Sequence, residues 1–207
     1  MPDIPLSSLD PRHQKLIENA RVALDRGNLE YVLEVTAQVL RMQPGCVPVR
    51  RLQRMAQLRA HKGKSGGFLG KTLSGLSAAP FLIGASKKDP AKQLEAAEGL
   101  LAKDPTNMSA LKMMAEAADA MGLPETVAFA LDAVRELDPT NRANLLMLGE
   151  ALLAAGKPAE AVKMADEILR TKPSDPDAQN LMRKASVAQT VSQGNWEKKG
   201  SFRDKLR

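Results

Sequence analysis

The chain has 207 residues, a net charge of +6 and one cysteine, and only 3% of it is aromatic. The lone thiol, Cys46, excludes an intramolecular disulfide and suits a reducing compartment, while His13 and His61, the only histidines, leave a metal site little to draw on. No apolar run reaches the roughly 18 residues that a spanning helix needs. The opening Met-Pro-Asp-Ile-Pro-Leu-Ser-Ser-Leu-Asp also lacks the basic and apolar regions of a secretory signal, so a cytoplasmic address is expected.

Leu9-Asp10-Pro11 predicts a helix start, because Asp caps free amides and Pro suits the first turn. Leu16, Ala20 and Ala23 give its buried stripe, and Gly27-Asn28 the turn. Leu29, Val32, Leu33, Val39 and Leu40 form a partner helix closed by Pro44-Gly45. A third helix opens near Pro48 and carries Leu52, Met55, Ala56 and Arg59 as far as Gly63. The matching pattern resumes only at Asp89-Pro90, where Leu94, Ala97, Leu100 and Leu101 lead to Pro105; residues 64–88 therefore read as a 25-residue insertion in a turn. Two further helix pairs follow without gaps, from about Met108 to Asn141 and from Arg142 to Asp175. Asp175-Pro176 starts one more helix with Leu181, Met182, Ala185 and Ala188 on one side, as needed to cover the last face of a stack.

The pairs share a frame. Pro105, Pro139 and Pro173 are 34 residues apart, and Asp104-Pro105-Thr106-Asn107 returns as Asp138-Pro139-Thr140-Asn141. Gly122 precedes Gly156, Ala115 precedes Gly149, Leu111 precedes Leu145 and Val134 precedes Ile168 by the same interval. A fixed 34-residue period of paired helices resembles the tetratricopeptide repeat (TPR) family, with Leu, Met and Ala where the family often has aromatics. The resemblance implies an all-α fold: a right-handed superhelical stack of antiparallel helix pairs, about four repeats and a C-terminal capping helix. The expected organisation is a tail over 1–9, a repeat domain over 10–192 with its insertion at 64–88, and a basic tail over 193–207. The insertion and the ending resemble bacterial members of the family.

Charge is unevenly distributed along this frame. Between Glu34 and Asp89 there is no acid but there are ten Arg and Lys residues, whereas Asp89 to Met182 holds sixteen acids against nine bases. Arg50, Arg51, Arg54, Arg59, Lys62 and Lys64 fan out around one helix rather than forming a stripe. The basic 41–64 region is one candidate for nucleic acid, but stacking aromatics are nearly absent there and the middle of the chain is acidic, so this is not the expected partner.

In the insertion, Ser65-Gly66-Gly67-Phe68-Leu69-Gly70-Lys71-Thr72 approaches the phosphate-loop pattern. Ser65 replaces its first glycine, and the strand-to-helix context is missing, so no nucleotide or other cofactor is expected. Residues 72–86 carry no charge and are flanked by lysines. With Phe68, Leu69, Phe81, Leu82 and Ile83 as apolar contacts, the segment can bury itself on the stack, dock a partner, or lie on an anionic membrane surface. Trp196 and Phe202 in the tail offer a route to self-association.

No catalytic constellation emerges, and a non-enzymatic scaffold binding another protein is the expected role. The family resemblance implies that the first helix of each pair lines a concave, peptide-holding groove. The matching frame assigns Arg21 to it, then Arg50, Gln53, Arg54 and Gln57, then Lys112, Met113 and Glu116, then Leu146, Met147 and Glu150. One TPR subfamily clamps a terminal carboxylate with Lys, Asn and Arg. Ile17, Arg21, Ser109 and Met113 occupy those places, so that activity is not carried over.

Overall fold

The computed structural model describes residues 3–63 and 89–199, with side chains as far as residue 192. Every long element among the described residues is an α-helix: α1 (Pro11–Asp25), α2 (Leu29–Met42), α3 (Val47–Gly63), α4 (Pro90–Lys103), α5 (Met108–Ala120), α6 (Pro124–Leu137), α7 (Arg142–Ala154), α8 (Pro158–Thr171) and α9 (Pro176–Lys199). The expectations placed on Phe68, Leu69, Phe81, Leu82, Ile83 and on the tail residues Trp196 and Phe202 lie outside the described residues and side chains.

Local chemistry sets the helix boundaries. Asn107, Asn141 and Asp175, 34 residues apart, each cap a helix by accepting a backbone N–H three residues on, at 3.0, 3.0 and 3.1 Å. Asp10 and Asp89 do the same before the prolines that open α1 and α4. In the loop before α5, Asp104 accepts from the hydroxyl and the amide of Thr106, at 2.6 and 2.9 Å. The hydroxyl bond above all holds its carboxyl below the ordinary range. Gly27, Gly122 and Gly156 turn the chain at φ of 79°, 67° and 71°, where a Cβ would strain the backbone.

The chain forms two compact units, residues 1–137 and 138–207. In the first, α1 packs on α2 and α2 on α3, while α4 packs on α5 and α5 on α6. The step from α3 to α4, across the insertion, is not one of these close packings: α4 is not the hairpin partner of α3. In the second unit α7 packs on α8, and α9 packs on both. Consecutive hairpins are what a 34-residue helical repeat predicts, and unit 2 follows that pattern most fully.

The core differs in detail from the pattern. On α1 the buried residues are Ile17, Ala20 and Leu24, with Leu16 and Ala23 only partly covered, a rotation of one position within the apolar arc. On α3, Met55 and Arg59 are exposed rather than buried. Val49, Leu52, Ala56 and Ala60 fill the apolar face, and the Arg59 guanidinium reaches back to the Leu24 carbonyl at 2.8 Å. At the end of the chain α9 continues as helix to Lys199, past the boundary at 192 and through Gly194.

Candidate partner-binding faces

The groove positions expected on α3 come together, but facing inward. Arg50, Gln53, Arg54 and Gln57 are all buried and line a cleft closed on the other side by Glu98, Leu101, Leu111, Met114 and Phe129. Arg50 Nη1 donates to Glu98 Oε1 at 2.6 Å and approaches the Met114 sulfur, and Nη2 donates to the Pro44 carbonyl at 2.7 Å. Arg54 donates to the Pro105 carbonyl at 3.0 Å and to Glu136 at 3.2 Å. The cleft leaves about 10 Å³ of free space, too little for any peptide side chain. In this state the two arginines serve carboxylates and carbonyls of the chain itself. Of the basic region, Arg41, Arg51, Lys62 and His61 remain exposed on separate faces.

The other expected positions are open. Arg21 is exposed on α1; on α5, Lys112 and Glu116 are exposed and Met113 is half-buried. In unit 2, Met147 and Glu150 stand exposed on α7 with Leu146 half-buried beside them. Lys184 on α9 donates to Glu150 Oε1 at 2.9 Å, joining the solvent sides of α7 and α9. One turn before Glu150 lies Met147, 54% exposed; one and two turns beyond Lys184 lie Val187 and Val191, 59% and 60% exposed. Lys184 and the two valines are absent from the sequence expectation. The 34-residue frame points at them, since Glu150 plus one period is Lys184.

This face is held by a charged cluster at the base of α9. Asp175, fully buried, accepts from Arg142 Nε and Nη2 at 2.6 and 2.8 Å and from the Ala178 amide, while Arg142 Nη2 also reaches Asp177. The Arg142 hydrogen bonds hold the Asp175 carboxyl well below the usual carboxylate range, and the same bonds push Arg142 up. A depressed carboxyl contributes stability that is fully present above its unfolded pKa, about 4, and is lost as pH falls below that. Asp175→Asn keeps the cap to Ala178 but gives up the ion pair. Thermal unfolding of both proteins between about pH 6 and pH 2 should therefore show the wild-type advantage shrinking as the acid side is entered. A constant gap across that range would rule the pair out as its source.

The helical hairpins, the 34-residue spacing of caps and glycine turns, and the family comparison now converge. A family model described as tetratricopeptide repeat matches residues 120–185. The chain carries tetratricopeptide repeats. The match covers α7, α8 and the packed part of α9, the helices whose face has just been described. A comparison with curated proteins gave no match. Tetratricopeptide repeats generally mediate protein–protein interaction, and the family is typically a non-enzymatic scaffold. Among the described residues no group of three or more His, Cys, Asp or Glu is placed to hold a metal ion, and no helix is long and apolar enough to cross a membrane.

Proposed function

We propose that this TPR protein is a non-enzymatic scaffold that binds a segment of another protein, and that the α7–α9 face of unit 2 is the docking surface. The observation that carries this reading is the group Met147, Val187 and Val191, more than half exposed, set on either side of the Glu150–Lys184 ion pair. Apolar side chains at helical spacing supply the area that drives association, and methionine adapts to the shape it meets. The ion pair between them can be re-partnered by a charged residue of the incoming segment, which fixes its register. The acidic middle and basic flanks of the chain add an orienting field.

The test compares affinity capture from a cell lysate by the intact chain and by a Met147→Asp/Val187→Asp variant of equal thermal stability. Loss of a specific partner from the variant, by about tenfold or more, is the expected result; a charge buried at the centre of an interface has an effect of that size. Equal recovery by both proteins would remove the α7–α9 face from the reading and leave Lys112 and Glu116 on α5 to be tested in the same way.

A further inference from the structure

Unit 1 contains an apolar core that belongs to its first half alone. Leu9, Ile17, Leu24, Val32, Leu40 and Leu52 represent a cluster drawn from α1–α3 and the segment before them, with no residue from α4–α6 in it. The second half buries its own set, including Leu94, Leu101, Leu111, Leu131 and Val134. What joins the halves is polar. Arg50 meets Glu98, Arg54 meets Pro105 and Glu136, and the Asp3 carboxylate accepts from the Glu125 amide at 2.6 Å and the Thr126 hydroxyl at 2.8 Å. Gln53 and Gln57 complete the α3 side of the cleft. The seam is also imperfectly filled: the buried Arg50 Nε has no hydrogen-bond partner among the described residues.

We propose that this seam is a hinge at which α1–α3 parts from α4–α6 while both halves stay folded, baring the Arg50, Gln53, Arg54 and Gln57 stripe. Opening returns ion pairs and amides to water, which solvates them well, so little net free energy is lost there. The hydrophobic cores, which carry the stability, remain closed. Polar interfaces between separately cored modules of one chain are those at which relative motion is expected.

Thiol labelling of full-length Gln57→Cys tests this directly, because Cys46 supplies an internal reference. Cys46 is fully buried inside the first core, and burial raises its pKa, so it reacts only when that core opens. The thiol introduced on α3 should react with an aromatic disulfide about tenfold or more faster than Cys46, since sub-global opening is more frequent than unfolding. Raising NaCl to about 1 M should speed the introduced thiol several-fold by screening the seam's ion pairs and leave Cys46 unchanged. Urea should accelerate the introduced thiol less steeply than Cys46, because less surface is exposed. One common rate for both thiols, with one urea dependence, would mean that α3 is bared only by unfolding and would overturn the hinge. Should Gln57→Cys not fold, Gln53→Cys on the same face serves instead.

Discussion

Arg50→Ala is expected to destabilise the protein by about 3 kcal/mol, the scale for removing one partner of a buried ion pair. Arg50 is 1% exposed, and its guanidinium serves Glu98 and the Pro44 carbonyl together. Truncation leaves Glu98, only 18% exposed, without its counter-charge and the carbonyl without its donor. Neither group can recover full hydration while the cleft stays closed. Arg54→Ala provides the contrast. Its carboxylate partner, Glu136, is 56% exposed and simply turns to water, so the expected loss is about 1 kcal/mol. Urea denaturation of the full chain, followed by circular dichroism, measures both. A loss for Arg50→Ala no larger than for Arg54→Ala would mean that Glu98 regains water freely and that burial does not set the strength of the contact. A cycle with Glu98→Ala isolates the pair itself, because removing both partners also removes the uncompensated charge.

These arginines also mark the limit of what the sequence makes legible. The repeat frame is readable because its requirements are local: a glycine where φ is positive, an Asn or Asp whose side chain caps the helix it precedes, a proline where no N–H is needed. Gly122, Gly156, Asn107, Asn141 and Asp175 all stand where such rules place them. The apolar arc of α1 is legible only to within one position, since Leu16 and Ile17 are both apolar and tertiary packing chooses between them. The polar face of α3 is harder still. Arg50, Gln53, Arg54 and Gln57 look like a solvated or ligand-lining row, and no neighbour in sequence says otherwise. Their partners Glu98, Pro105 and Glu136 lie 48 to 82 residues away, and no periodicity connects them. Lys184 and Val187 form the opposite case, a face that the 34-residue frame implies and that becomes readable once α9 is seen to lie beside α7.

Gly149→Ala is the second large expected effect, and its sign depends on two opposed terms. Alanine is the better helix former by about 1 kcal/mol, so at an exposed position in α7 the change would stabilise. At Gly149, however, a Cβ would sit 3.2 Å from Leu181 Cδ1 and 3.3 Å from its Cγ, and closer still to Cδ2. Leu181 is 1% exposed on α9 and has no free space into which to turn. Overpacking of that kind costs about 1–3 kcal/mol, so the net result is a loss of about 1–2 kcal/mol once helix propensity is subtracted. Leu181→Ala alone should cost about 3 kcal/mol through lost burial and the cavity it leaves. In the double variant the new methyl occupies part of that cavity and meets no leucine, so the combined loss should fall short of the sum by about 1–2 kcal/mol. Simple additivity in urea denaturation would mean that α7 and α9 are not in the close contact that only a glycine permits. Because α9 carries Lys184, Val187 and Val191, partner capture by Gly149→Ala should weaken before the repeats themselves unfold.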